Sequence, residues 1–295
     1  MPRNRVAARK DVPFLRQILG TKLRRLREEA GLSLEEVAKI LDLNRFTVLR
    51  HESGETLVKV NDAIAYSKVY GVDGNEVLVK QLTDLARQGK QRGWWTAVGA
   101  NLHPAFSYLV EAELLARDGE IRTWEPLIVP GVLQTEAYTT ELLARRQHLW
   151  EQQNPLPLAE GVATRAARKE QLLGGDQPTK LWAIIGEAAI RMPVGSAQVM
   201  QDQLRHLLEL SEQPNIKLQI LPFSTGVHVG TAGPFILFNF GGAPVDGVVY
   251  YENSLSFSDD EDTLKRHTEQ FDLLRAQAKS VPDSRSYLQE ALANH

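Results

Sequence analysis

Arg45, Phe46, Thr47 and Arg50 fall within one short stretch of the chain. Their side chains suit one kind of chemistry. Arginine can bond bidentately to O6 and N7 of guanine, while phenylalanine and the threonine methyl can pack on the methyl of thymine. Gathered on the N-terminal half of one exposed helix, the four would reach base edges in a major groove. Ser33, Asn44, Ser53 and Lys59 flank them, and Arg9 and Lys10 lie upstream. Hydroxyl, amide and cationic groups of this kind suit phosphate oxygens, which position a protein on a duplex without reading its sequence.

The surrounding residues supply the elements that would hold these groups in place. A first helix runs up to Glu29, and Gly31 ends it. Ser33 with Glu36 three residues later is a capping box that opens a second helix, from Leu34 to about Leu41. Val37, Ala38 and Leu41 share its inner face, with Ala38 small where two helices cross. Asp42 and Leu43 form a short turn. Asn44 caps a third helix that runs to about Ser53, and Gly54 stops it. Val48 turns inward, four residues from both Asn44 and Glu52. His51 in this helix suits packing or capping, or alternatively a phosphate contact.

The stretch GTKLRRLREEAGLSLEEVAKILDLNRFTVLRHESG resembles the Xre/Cro/phage-repressor family of helix-turn-helix proteins, over about Phe14 to Val72. The resemblance implies that Arg45, Phe46 and Arg50 occupy base-reading positions. It also implies a buried ion pair between Arg27 and Glu52, linking the first and third helices. Leu34 stands where the family usually has a phosphate-gripping glutamine, so backbone amides at that helix start take over the role. A helical domain that mediates only protein contacts shares the core pattern; the exposed Arg45, Phe46 and Arg50 argue against it.

The charge is unevenly spread. Residues 1–75 carry 14 Lys/Arg against 10 Asp/Glu, a net of +4, and the remainder 20 against 27, a net of −7. A basic front part suits a phosphate backbone, and an acidic back part argues against extended nucleic-acid contact there. Arg3, Arg5, Arg9 and Lys10 make the first thirteen residues a basic flexible arm. Cysteine is absent, which excludes disulfides and thiolate metal sites. With no signal-like or long apolar segment, a cytoplasmic protein without a membrane span is expected.

Beyond the third helix, Asn61 is expected to cap a fourth over Asp62–Val69, with Ala63, Ile64, Ser67 and Tyr70 inward. A fifth, about Glu76 to Gln88, carries Val77, Leu78, Leu82 and Leu85 at helical spacing. Gly89 and Gly93 mark a boundary, and Trp94 and Trp95 after it suit an anchor between domains. The back part alternates helices with strands: helices over Phe106–Arg117, Glu136–Arg146, Gly161–Leu173 and Gln198–Leu210, strands over Ile121–Leu127, Leu181–Glu187 and Ile216–Leu221. Phe235–Phe240 and Val248–Glu252 suit a hairpin around Gly241-Gly242. Two closing helices cover about Asp259–Ala278 and Ser284–Ala293, the first opened by a capping box of Ser258 and Glu261. The fold class expected is an all-α N-terminal helix-turn-helix domain of about five helices, followed by an α+β C-terminal domain with a small sheet. The divisions are an arm at 1–13, the DNA-binding domain at 14–75, a connecting helix and linker at 76–93, and a regulatory domain at 94–295.

WEPLIVPGVLQTEAY, IRMPVGSAQVMQDQLRHLLELSEQPNIKLQILPFSTGVHVGTAGPF and VVYYEN are similar to the domain of unknown function that follows Xre-type modules in many actinobacterial regulators. The likeness covers about Trp94 to Leu288. It implies a two-part transcriptional regulator, often encoded beside a small partner protein.

The remaining constellations point to little chemistry. The seven histidines lack metal-ligand spacing, and no phosphate-binding glycine loop or nucleophile elbow is present. Arg122, Ser224-Thr225 and Glu252 on or beside strands would be needed to hold a dinucleotide, but their spacing is loose. Trp124, Phe223, His228, Phe235 and Tyr251 can line an apolar site with a few polar groups, a candidate ligand pocket. The expectation is a non-enzymatic, sequence-specific DNA-binding regulator with no cofactor and no metal. It would act as a homodimer on a double-stranded DNA operator, its C-terminal domain serving self-association, a small protein partner or a small-molecule effector. The alternative is an interaction protein, one half of a regulatory or toxin–antitoxin-like pair, with autoregulatory DNA binding.

Overall fold

The computed structural model describes residues 6–7, 13–89, 104–150, 157–241, 247–254 and 256–295. Five helices come first: α1 (Phe14–Glu29), α2 (Leu34–Ile40), α3 (Arg45–Glu52), α4 (Val60–Val69) and α5 (Glu76–Gln88). Their termini follow local chemistry. Gly31, Gly54 and Gly71 adopt positive φ just past α1, α3 and α4, the left-handed conformation that glycine enters without a Cβ clash. Asp42 takes the same role after α2, with φ 52°. Leu19, Leu23, Val37, Val48, Ala63, Tyr66 and Leu82 are buried between the helices. α5 packs on both α1 and α4.

Two sequence expectations shift here. α4 starts at Val60, with Lys59 at its cap position and the Asp62 carboxylate accepting the Lys59 amide, so Asn61 lies inside the helix. Val77 is 67% exposed, whereas Leu82 and Leu85 are buried. A residue in the first turn of α5 lies beyond the reach of the helices that cover its middle.

The second half is helices on a mixed sheet. Its elements are α6 (Pro104–Leu115), β2 (Glu120–Glu125), α7 (Glu136–Trp150), α8 (Leu158–Leu173), β3 (Lys180–Gly186), α9 (Glu187–Arg191), α10 (Ala197–Leu210), β4 (Ile216–Leu221), β5 (Phe235–Asn239), β6 (Gly247–Tyr251), β7 (Ser256–Ser258), α11 (Glu261–Gln277) and α12 (Val281–Ala293). The described residues give a sheet ordered β1-β7-β6-β5-β2-β3-β4, with β1 at Val6–Ala7. β2, β3 and β4 are parallel, and the other pairs antiparallel. The all-α front part and the α+β back part are thus as expected, the sheet having seven strands among the described residues. β7 and β1 are too short to show alternation, and β1 comes from the arm expected to be flexible. The hairpin of β5 and β6 forms as read; of its proposed turn, Gly241 is described and Gly242 lies outside the described residues.

Strand alternation assigns two cores. Ile121, Ala183, Ile185, Leu218, Ile220, Phe238 and Val248 join the larger cluster, which runs on into the first five helices. Trp124, Ile184, Phe235, Leu237 and Val249 face the other way, onto Phe271 and Leu274 of α11. α11 is capped by Asp260, whose carboxylate accepts the Thr263 amide. Ser258 instead ends β7 and is buried, so the Ser258–Glu261 box does not form.

The halves meet along α1. Phe14 lies 5.7 Å from Tyr108 and 5.0 Å from Phe257, centroid to centroid. Gln17 donates to the Tyr108 hydroxyl at 2.7 Å. Trp94 and Trp95, expected to serve as an anchor here, lie outside the described residues.

Candidate nucleic-acid interface

α3 is built to present one face and bury the other. Val48, His51 and Glu52 are buried. Glu52 receives Arg27 bidentately: Nε donates to Oε1 at 2.6 Å and Nη2 to Oε2 at 3.0 Å, while Nη1 donates to the Leu32 carbonyl at 2.9 Å. The hydrogen bond to Glu52 raises the Arg27 pKa against the opposing effect of burial. His51 Nδ1 is 2.9 Å from the Tyr66 hydroxyl, and burial lowers its pKa. His51 therefore packs the helix inward rather than facing a phosphate. Tyr66, absent from the sequence-based core, is fully buried at the centre of this unit. Its one extra turn of phase from Ala63 and Tyr70 was the available signal.

The outward face carries Arg45, Phe46 and Arg50, all exposed, with Thr47 half-buried. Phe46 is 62% exposed. A ring that open takes no part in the core. Leu49 is also exposed beside it, one turn along. Asn44 Oδ1 accepts the Phe46 amide at 2.8 Å, fixing the start of the helix. Arg45 forms an ion pair with Glu35, its Nε 2.9 Å from Oε1.

The residues expected to meet phosphate are placed differently from one another. The Ser33 hydroxyl serves the capping box, accepting the Glu36 amide at 3.2 Å and donating to its carboxylate at 2.7 Å. The Ser33 amide, donating to the Glu36 carboxylate at 2.8 Å, and then the hydroxyl hold the Glu36 pKa low. Ser53 donates to the Arg50 carbonyl at 3.2 Å. The Lys59 side chain is exposed. Arg9 and Lys10 lie outside the described residues. Leu34 is half-buried and packs on the core, which leaves the amides of that helix start as the polar groups on offer.

Residues 18–78 match the family model described as a helix-turn-helix domain. Residues 106–290, well over half of the chain, match the model described as "Domain of unknown function (DUF5753)". The chain belongs to this family. Curated relatives are two proteins named "Putative HTH-type transcriptional regulatory protein". The one from Pyrococcus horikoshii is 39% identical over 69 residues, 23% of this chain and 21% of that protein. The one from Pyrococcus furiosus is 38% identical over the same shares. The chain thus spans about a fifth of the length of these relatives. No solved structure matches.

Within the DUF5753 half, the residues read as a pocket pack mainly on each other and their neighbours. Trp124 Nε1 donates to the Gly230 carbonyl at 2.9 Å, and its ring meets His228 edge-on at 5.3 Å. Phe235 pairs with Trp124 across β5 and β2, and His267 stands edge-on to both Phe235 and Tyr251. Burial alone lowers the His228 pKa, and it is the leading cause for His267. Phe223 is exposed, its amide held by Glu187. Arg122 donates to Glu120 at 2.6 Å, and Ser224-Thr225 sit in a short 3-10 turn. Glu252 follows β6.

Sequence reading missed a deeper polar feature of this half. Arg168 on α8 and Glu113 on α6 form a bidentate, almost fully buried ion pair, with Nε 2.9 Å from Oε2. Only the inward phase of both residues signalled it. No helix among the described residues is long and apolar enough to cross a membrane.

Proposed function

We propose that this protein is a sequence-specific DNA-binding transcriptional regulator. The single observation that carries this is the outward face of α3. Arg45, Phe46 and Arg50 are exposed together on a helix whose other face is locked by Val48 and the Arg27–Glu52 pair. The relatives' names agree with the reading. Arg45, Phe46, Thr47 and Arg50 read bases. Asn44, Ser33, Ser53, Lys59, Arg9 and Lys10 lie along the flanking phosphates. The reading unit extends through α5 by its packing on α1 and α4, and the DUF5753 half from residue 94 onward is regulatory, for self-association, a protein partner or an effector. One helix-turn-helix covers few base pairs, so two copies on half-sites about 34 Å apart give the required specificity.

The test is binding of the purified chain to its own upstream DNA across a salt series, beside an Arg45→Ala/Arg50→Ala variant. Tight, salt-sensitive binding that the variant loses supports the reading. Binding no better than to random DNA defeats it. Light scattering of the complex checks the dimer, and a single copy per duplex rejects that part alone.

A further inference from the structure

Arg45 is held from two sides. Glu35 Oε1 forms an ion pair with it, 2.9 Å from Nε, and its guanidinium carbon lies 5.9 Å from the centre of the Phe46 ring. The two acidic residues in the first turn of α2 divide their work. Glu36 is committed to Ser33 in the capping box, and Glu35 serves Arg45. Both members of the Glu35–Arg45 pair are more than half exposed, so the contact contributes little to stability. It also places a negative charge on the surface that must approach phosphates, which weakens binding to DNA of any sequence.

We infer that Glu35 is a positioning residue that aims Arg45 at a guanine, resting on the DNA-binding reading above. With the Glu35 carboxylate beside the Nε edge of the guanidinium, the Nη1 and Nη2 edge is left to face O6 and N7 of one guanine. The stack on Phe46 restrains the same group from a second side. An arginine already held in place loses less side-chain freedom when it binds than a free one. Glu35 therefore exchanges general affinity for discrimination at one base pair.

The experiment selects duplexes from a randomised pool with the full chain, then measures binding to every single-base variant of the selected site. Glu35→Ala, Glu35→Gln, Arg45→Ala and the Glu35→Ala/Arg45→Ala double variant are compared with the wild type. At the base pair that Arg45→Ala identifies, Glu35→Ala is expected to lower guanine preference by about fivefold to tenfold, part of the worth of a bidentate contact. Its binding to unrelated DNA should rise about twofold to threefold, since an anionic charge is gone. Glu35→Gln, which keeps the side-chain size but not the charge, should lose the preference as Glu35→Ala does. In the Arg45→Ala background the loss of Glu35 should leave base preference unchanged. A purely structural role would instead lower specific and non-specific binding together, and that result overturns the inference. So does unchanged guanine preference in a Glu35→Ala protein that still selects the site. If the wild type selects no sequence, the DNA-binding reading fails first and this one with it.

Discussion

Glu111 of α6 caps the first helix of the other half of the molecule: its Oε2 accepts the Leu15 amide at 3.2 Å. α1 has no side-chain cap of its own, because Pro13 stands at the cap position. A long-range carboxylate thus satisfies donors that a local serine or aspartate would ordinarily take. The contact ties the N-terminal helical unit to the DUF5753 half at a defined point.

Burial raises the Glu111 pKa to about 7, with the Leu15 and Phe14 amides and Arg16 opposing the shift. A carboxyl raised in the folded state binds its proton more tightly there than in the unfolded chain. Its contribution to stability is fully present below the unfolded value and is lost as pH rises through about 7. Glu111→Gln keeps an acceptor oxygen without the charge. Between pH 5 and pH 8 the wild type should lose stability relative to this variant, by an amount approaching about 3 kcal/mol. Urea denaturation at a series of pH values checks it; parallel curves would show that Glu111 is not raised.

The Arg27–Glu52 pair is only 12% and 3% exposed at its two side chains. Removing one partner strands a charge, so Glu52→Ala should destabilise the helical unit by about 3–5 kcal/mol. Replacing both partners with apolar residues of similar volume should restore much of that. Chemical denaturation of the single and double variants measures the coupling, and additive losses would argue that the contact is not made.

Gly20 sits inside α1, where helix propensity alone favours alanine by about 1 kcal/mol. Here a Cβ would lie 2.6 Å from the Glu52 carbonyl oxygen and 2.7 Å from that of His51. Both obstacles are backbone, so α1 and α3 would have to separate. Gly20→Ala is expected to lower the melting temperature despite its better propensity, by about 1–3 kcal/mol in stability. A rise in melting temperature would show that the helices can give way.

Gly230 is pinned in the same manner in the smaller core. A Cβ there would stand 2.6 Å from Trp124 Nε1, against a ring that is almost wholly buried. Gly230→Ala should break the Trp124 hydrogen bond and red-shift the tryptophan fluorescence as water reaches the indole. An unchanged spectrum would mean that the loop relaxes around the added methyl group. The other four tryptophans make Trp124→Phe the necessary control.

The helix starts and stops around α2 and α3 were legible because their chemistry is local. Ser33 and Glu36, Asn44, and the left-handed turns at Gly31 and Gly54 each act within a few residues. The exposed Arg45, Phe46 and Arg50 followed from helical phase alone. The caps of α4 and α11 were each misplaced by two residues: at α4 the Lys59 backbone, held by Asp62, opens the helix without a side-chain cap, and at α11 Asp260 rather than Ser258 takes the Thr263 amide.

By itself, then, the sequence determined the helix-turn-helix, its outward residues, and a second half of alternating helices and strands, because period and capping operate over a turn or two of chain. Tertiary structure alone decided what joins residues far apart. It set the strand order, with Val6–Ala7 closing on β7, and the Glu111 cap on α1. It also buried the Arg168–Glu113 pair and set Glu35 against Arg45. The physical reason is the same in each case. Hydrogen bonds and ion pairs between distant segments depend on which faces pack together, and packing energy is summed over the whole core rather than written in any one stretch.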